Sequence, residues 1–347
     1  MKCIKTIFVS VFILVFFSTC NVFLGPDPDN SPQGIFDSIW NDFDKNYALF
    51  DVKGINWKTI YNTYVTNIFS DMNDSELFSV CSDMLGELND AHVNLMSSFD
   101  YFNSGSKFNT LNVEPFSLDL IKSNYLNSDY DLVGEGMFLY GTFKTKPSVG
   151  YIFISGFAYG KTTGVNQDWI KAIDNVVAKM SSTDSLILDI RGNRGGLPGN
   201  VDYIASRFAS DKKDYTQVRT KNGPNQNDFS SPVNYTIIPA GARYTKSIML
   251  ITNAQTISAG EWFTLALRSQ NHVVHTGSST CGAFSLALER FLINGWAYNI
   301  SVQKVTDMQG ICYEGTGITP EHIILNDEIE FAAGKDAQLE YAISIIN

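Results

Sequence analysis

A serine in a strand–turn–helix segment has a setting that suits catalysis. The apolar run 247–252 has the length of a strand, Asn253 to Gln255 form a turn signal, and apolar residues at helical spacing begin at Trp262. Ser258 therefore falls in the first turn of the predicted helix, where backbone N–H groups lack intrahelical partners and favour negative charge. This setting suits a nucleophile whose tetrahedral intermediate needs an oxyanion hole, although a serine there can also act only as a helix cap.

A second segment places glycines directly after a predicted buried strand. The apolar run 185–190 leads into Arg-Gly-Asn-Arg-Gly-Gly at 191–196. Glycines at this density let the backbone adopt positive φ or approach a ligand closely. The spacing is not the G-x-G-x-x-G of dinucleotide-binding proteins, and no acidic residue follows at a suitable strand end, so we expect no cofactor.

Taken in order, these motifs resemble those of the C-terminal processing and tricorn peptidase family. The resemblance covers most of residues 33–347. Its motifs are Asp-Ile-Arg-Gly-Asn-Arg-Gly-Gly at 189–196, Ser-Ala-Gly-Glu at 258–261, Thr-Cys-Gly at 280–282 and Glu-Gly-Thr-Gly-Ile-Thr-Pro at 314–320. It implies an α/β fold, with a small N-terminal helical subdomain and a crotonase-like α/β core whose sheet is partly parallel. It also implies a serine endopeptidase or carboxyl-end-directed peptidase that hydrolyses unfolded peptides by acyl transfer.

The same resemblance implies the catalytic roles. Ser258 matches the nucleophile. Leu-x-Asp-x-His at 88–92 stands where tricorn-like members carry their catalytic histidine, so His92 is expected to be the general base, although a lone histidine at a helix end is usually structural. Glu314 matches the acidic partner of the histidine. The oxyanion hole is expected from the backbone of Gly196, Gly195 and Ala259.

Two features depart from the family. Many members use a lysine base two or three residues after Thr-x-Gly, but no lysine lies between Lys246 and Lys304, which excludes a Ser–Lys dyad in the usual place. The tricorn enzyme has a polar residue just before its histidine, where this chain has Ala91, so we expect a simpler or weaker relay. The alternative function is a catalytically inactive surface lipoprotein that binds peptides or other ligands in the same cleft.

The N-terminus is typical of an export signal. Lys2 and Lys5 precede the apolar run 7–17, and small residues then lead to Cys20. We expect residues 1–19 to be a signal peptide, Cys20 to be lipidated, and residues 20–31 to be a tether. The protein would then be an exported bacterial lipoprotein, anchored by its lipid at the periplasmic face, outer membrane or cell surface. An ordinary signal peptide with an incidental cysteine is the alternative.

Composition and pattern limit the partners and divide the rest of the chain. A formal net charge of −11 argues against nucleic acid and anionic headgroups as partners, and the family resemblance implies a peptide or unfolded protein as the substrate. Amphipathic patterns predict a helical subdomain at 32–98, and strand–helix alternation predicts the core at 148–347. The intervening 99–147 is too short for a full PDZ module, and alternation at 114–121 and 131–143 indicates β-structure.

The cysteines and the other histidines give weaker predictions. Cys281 and Cys312 each stand two residues before a position that the family brings near its active site, and an oxidising compartment permits a disulfide between them. Two free buried thiols are the alternative. No metal site is expected, because the three remaining histidines show no ligand spacing with the cysteines: His272, His275 and His322.

Overall fold

The computed structural model describes residues 29–105, 114–158 and 168–346, so the predicted signal peptide, Cys20 and most of the tether lie outside the described residues. The helices and strands follow one another in the order α1 Pro32–Asn46, α2 Phe50–Lys53, α3 Trp57–Tyr64, α4 Asp74–Gly86, β1 Asn94–Met96, β2 Tyr101–Asn103, α5 Leu118–Leu120, β3 Asp131–Val133, β4 Phe138–Thr142, β5 Val149–Ile154, α6 Asp168–Met180, β6 Ser185–Asp189, α7 Pro198–Ala205, β7 Lys213–Thr220, β8 Val233–Ile237, β9 Ile248–Thr252, α8 Ala259–Arg268, β10 Val273–Gly277, β11 Ala287–Phe291, β12 Ala297–Ser301, β13 Gln303–Asp307, β14 His322–Ile323, α9 Glu328–Ala332 and α10 Ala337–Ile345.

The predicted helical N-terminal part is confirmed. Helix α4 begins at a capping box in which Asn73 accepts from the N–H of Glu76, while the Glu76 carboxylate accepts from the N–H of Asn73. The apolar faces of α1 and α4 pack against each other and against the buried side chains of β12, such as Tyr298 and Ile300. The helices therefore share one core with a strand from the C-terminal half of the chain.

The partly parallel sheet is also confirmed. It has seven strands in the order β14-β10-β9-β6-β5-β4-β3, with parallel pairing from β14 to β5 and antiparallel pairing at β4 and β3. Every residue of β5, β6 and β9 is buried, as expected for strands covered on both faces. Strands β3 and β4 belong to the predicted insert 99–147 and extend this same sheet.

The β-structure predicted for 114–121 is wrong. The segment contains the helical turn α5, which continues into a π-helical turn over Ile121–Tyr125. The Ser117 hydroxyl accepts a hydrogen bond from the N–H of Leu120 and so caps the turn. The alternation of apolar residues was therefore outweighed by a local capping interaction.

Two smaller sheets carry segments that lead to the candidate site. One has the order β11-β12-β1-β2, with β1 starting two residues after His92. The other has the order β13-β7-β8. Among the described residues, no helix has the length and apolar character required to cross a membrane.

Candidate active site

Ser258 lies at the junction between the turn after β9 and helix α8, as the sequence predicts. It caps the helix N-terminus with φ 60° and ψ −121°, a conformation that L-residues with a Cβ rarely adopt. Such backbone strain costs about 1–3 kcal/mol and persists only where neighbours fix it. Here the Ser258 N–H donates to the Ala283 carbonyl at 3.1 Å and to Glu261 Oε2 at 3.0 Å.

Glu261 is the residue that fixes this junction, and the sequence interpretation gave it no role. Its fully buried carboxylate accepts from the Thr280 hydroxyl and from three backbone N–H groups, those of Ser258, Gly282 and Ala283. Burial raises the pKa of Glu261 to about 7, while these donors oppose the rise. The Ser-x-x-Glu spacing of a capping box was the available signal.

The glycine loop packs directly against the Ser258 backbone. Gly195 has φ 81°, and a Cβ there would lie 2.8 Å from Ser258 Cβ and 2.9 Å from the Ala259 nitrogen. Gly196 has φ 143°, and a Cβ there would lie 2.0 Å from the Phe157 carbonyl carbon. Only glycine allows the loop to approach this closely.

The N–H groups predicted for the oxyanion hole differ in their availability. The Gly195 N–H already donates to Asn193 Oδ1 at 2.9 Å. Among the described residues, no hydrogen-bond acceptor is found for the N–H of Gly196 or for that of Ala259, the first residue of α8. Two of the three predicted donors are therefore free.

His92 lies on the segment between α4 and β1, where a hydrogen bond of its backbone fixes its position. Its N–H donates to Asp90 Oδ1 at 2.8 Å, and the other oxygen of this buried carboxylate accepts from the Tyr47 hydroxyl at 2.9 Å. Burial lowers the pKa of His92 from its ordinary value of 6.5, with Asp90 opposing and Lys53 reinforcing the shift. The imidazole is therefore neutral over a wider pH range than an exposed histidine.

His92 and Ser258 line the same cleft, together with Gly196 and Ala259. This cleft has a volume of about 250 Å³. Its remaining walls are mainly apolar and are formed by Pro198, Tyr235, Trp262, Phe284, Ser285, Leu286, Ala287 and Gln303. A larger cavity of about 440 Å³ lies near the other end of α8, beside Arg268, and none of the predicted site residues lines it.

Glu314 is buried close to this cleft. Its Oε2 accepts from the Phe284 N–H at 2.9 Å, whereas Oε1 has no partner among the described residues. Burial, and next the negative charge of Asp90, raise the pKa of Glu314 well above its ordinary value, with Lys53 opposing. His92 Nδ1 is likewise enclosed without a partner, so no direct hydrogen bond joins these two side chains.

The predicted disulfide between Cys281 and Cys312 is contradicted, because both cysteines are free. Their segments run antiparallel: the Thr280 N–H donates to the Ile318 carbonyl, and the Gly315 N–H donates to the Gly282 carbonyl. Cys281 therefore lies opposite residues 316–317, and Cys312 precedes these residues by four to five positions, on the far side of the turn in which the Gly317 N–H donates to the Tyr313 carbonyl. The sequence spacing gave no indication of this register.

Comparison with known families identifies two matching segments. A sequence model of peptidase family S41 matches residues 148–324, just over half of the chain, and a model of the tricorn protease C1 domain matches residues 28–86. The carboxy-terminal processing protease CtpB of Bacillus subtilis is 26% identical over 187 residues. That alignment covers 54% of this chain and 36% of CtpB, so the chain spans about a third of this relative's length.

Solved structures resemble the whole described fold. A candidate peptidase from Parabacteroides merdae has a TM-score of 0.81 at 29% identity, covering 92% of this chain and 97% of that one. Mature CPAF in complex with lactacystin has a TM-score of 0.69 at 11% identity, covering 91% of this chain and 97% of that one. The second likeness, at this identity, concerns the fold alone.

Proposed function

Because this chain belongs to peptidase family S41, we propose that it is a serine peptidase with Ser258 as nucleophile and His92 as general base. The observation that carries this proposal is the shared cleft of Ser258 and His92, in which two backbone N–H groups are free. The substrate is a peptide or an unfolded protein, since an extended chain can reach a nucleophile that lines so small a cleft.

Acyl transfer would proceed in two steps. Ser258 Oγ attacks the peptide carbonyl while His92 takes the hydroxyl proton, and the C–N bond then breaks as His92 gives that proton to the leaving amine. A water molecule, deprotonated by His92, next attacks the acyl-enzyme ester, and the bond between the acyl carbon and Ser258 Oγ breaks as His92 returns the proton to Oγ. The lowered pKa of His92 supports this role because it keeps the imidazole neutral and able to accept a proton.

The oxyanion would be bound by the N–H groups of Gly196 and Ala259. Both belong to backbone fixed by its neighbours, Gly196 by contact with Phe157 and Ala259 by its place in α8. Donors fixed before the reaction stabilise the developing charge, and each accounts for roughly 10²–10³-fold in rate in comparable sites. The Gly195 N–H does not contribute to the oxyanion hole, because it donates to Asn193 Oδ1. Gly195 instead allows the loop to pack closely against Ser258.

Glu314 would orient and stabilise His92 through a bridging water. Glu314 Oε1 and His92 Nδ1 are both buried without a partner, and an unpaired buried polar atom carries a desolvation cost that a water molecule removes. The raised pKa of Glu314 favours its protonated form in the resting enzyme. Formation of the imidazolium during catalysis would then favour the carboxylate.

A serine-directed fluorophosphonate probe tests this function, with the labelled residue mapped by mass spectrometry. Labelling at Ser258, together with hydrolysis of an unfolded protein, is expected. The absence of a dyad lysine between Lys246 and Lys304 favours the alternative of an inactive peptide-binding protein. Peptide binding without labelling or turnover would establish that alternative and refute the peptidase.

The Glu314→Gln substitution is expected to lower kcat by roughly a hundredfold, in the range of a lost electrostatic contact. Gln keeps the acceptor for the Phe284 N–H but cannot become charged opposite the imidazolium, so KM and thermal stability should change little. Steady-state kinetics and a melting curve provide the measurements. Glu87→Gln, at an exposed carboxylate bonded to Tyr64, is the matched control, and a wild-type kcat for Glu314→Gln would remove Glu314 from the mechanism.

We also propose that the mature chain is a lipoprotein anchored through Cys20. The basis is the sequence alone, a short apolar run followed by small residues and this cysteine. Cys20→Ser is expected to release the protein from the membrane fraction or to leave an unprocessed precursor of higher mass. Cell fractionation with mass analysis tests this, and a processed protein that remains in the membrane fraction would contradict the anchor.

A further inference from the structure

Strand β11 has a free edge. In the sheet β11-β12-β1-β2 it is the outermost strand, and among the described strands it pairs only with β12. A row of its backbone N–H and C=O groups therefore faces no other described strand. Such an edge is a template on which an extended chain adds by main-chain hydrogen bonds.

This edge starts at the candidate active site. Ala287, the first residue of β11, lines the cleft that contains His92 and Ser258. Side chains alternate along a strand, so Glu289 and Phe291 lie on the same face as Ala287. The register pairs Glu289 with Asn299 and Asn299 with Asn94, and His92, in the turn two residues before Asn94, lines the same cleft as Ala287. The face is therefore continuous with the cleft.

The opposite face of β11 is occupied by the helical part of the fold. Leu288 packs against the core that contains Tyr298, and the Arg290 guanidinium lies 3.6 Å from the Asp42 carboxylate. The cleft-side face differs: Glu289 is exposed, and Phe291 is 74% exposed. Phe291 stands at the end of a strand that leads out of the cleft, and its exposed apolar ring is available for contact with a bound chain.

We propose, on the basis of the peptidase function above, that the substrate adds to the free edge of β11 as an extended strand and that Glu289 and Phe291 select two of its residues. A basic residue would lie beside Glu289, and an apolar residue two positions further from the scissile bond would lie beside Phe291. The distance from Ala287 to Phe291 is about 13 Å along the strand, which corresponds to roughly four substrate residues. Side-chain pairs on neighbouring strands supply this selectivity.

Quenched fluorescent peptides of two lengths test the proposal. A short peptide occupies the cleft alone, and longer peptides carry a lysine and a leucine two positions apart, on either the N- or the C-terminal side of the scissile bond. One of the longer series is expected to show a KM roughly tenfold lower than that of the short peptide, comparable with burial of one large apolar side chain. Phe291→Ala should remove this advantage without changing the kinetics of the short peptide.

A charge exchange and a backbone scan separate recognition from a structural effect. Glu289→Lys should raise KM for the lysine peptide and lower it for the matching glutamate peptide, by roughly two- to fivefold as for cross-strand charge pairs. N-methylation of the peptide should raise KM at alternate positions only, because alternate N–H groups face the edge. Ile329→Ala, at an 81% exposed side chain on α9, is the control for loss of a surface apolar residue.

Binding to the Ser258→Ala protein distinguishes failure of this inference from failure of the peptidase function. Polarisation of a labelled long peptide should show binding that Phe291→Ala weakens about tenfold, as for loss of one buried aromatic contact. Such binding without any wild-type turnover would refute the peptidase and retain the edge site. Turnover without any effect of length, Phe291→Ala or Glu289→Lys would refute the edge site. Sedimentation that shows a dimer dissociated by Phe291→Ala would assign the edge to a second copy of the chain instead.

Discussion

Replacement of Ser258 by alanine is expected to reduce kcat/KM by about 10⁴–10⁶-fold, the range for loss of a serine nucleophile. The substitution removes only the hydroxyl group, which is the proposed nucleophile, so no other group is expected to attack the substrate. Binding should persist, since the apolar walls of the cleft and the free N–H groups are unchanged. Hydrolysis of an unfolded protein, together with probe labelling, measures the effect.

The substitution should leave the fold intact. The backbone of residue 258 is fixed by the Ala283 carbonyl and by Glu261, and both contacts involve its N–H. Among the described residues, no N–H of α8 donates to the Ser258 hydroxyl, so its loss should cost no more than the roughly 0.5–2 kcal/mol of unfolding free energy of a lost helix cap. Ser269→Ala, at the other end of α8, is the matched control and should keep full activity. Retained turnover in a folded Ser258→Ala protein would mean that another residue is the nucleophile.

The parts of the site that sequence predicted are those encoded locally. The buried strands β6 and β9 are continuous apolar runs, and each is followed by the small residues that turn the chain at its end. Ser258 and the glycine loop could therefore be placed after neighbouring parallel strands, because the carboxyl ends of such strands meet at one edge of a sheet. The positive φ of Ser258 had no such signal, because it depends on contacts with Ala283 and Glu261.

The parts that sequence missed depend on the pairing of distant segments. The Asp90 carboxylate accepts a hydrogen bond from the Tyr47 hydroxyl, which lies 43 residues earlier in the sequence, and no periodicity encodes this contact. The failed disulfide has the same origin, since the register that brings Gly315 to Gly282 does not place Cys312 opposite Cys281. Lys53 belongs to helix α2, and its charge acts on both His92 and Glu314. Burial and charge at the base thus come from the helical part as well as the core.

Replacement of His92 is expected to have an effect of similar size, about 10⁴-fold or more in kcat/KM, because nucleophile and base act as a unit. His92→Ala in the Ser258→Ala background should therefore lower activity little further. His92→Gln keeps a polar side chain in the cleft and should be equally inactive, since an amide accepts no proton. Double-mutant kinetics give the measurement, and additive losses would show that the two residues act separately.

The pH profile identifies the base independently of substitution. Only neutral His92 can take the Ser258 proton, so activity falls on acidification as the imidazole is protonated. Burial lowers the pKa of His92 below 6.5, and the acidic limb of kcat/KM should therefore have its midpoint below that value. The neighbouring charges act in opposite directions: Asp90 raises this pKa and Lys53 lowers it. Lys53→Met should move the midpoint upward, and Asp90→Asn should move it downward. An acidic limb that neither substitution displaces would mean that the profile reports a group other than His92.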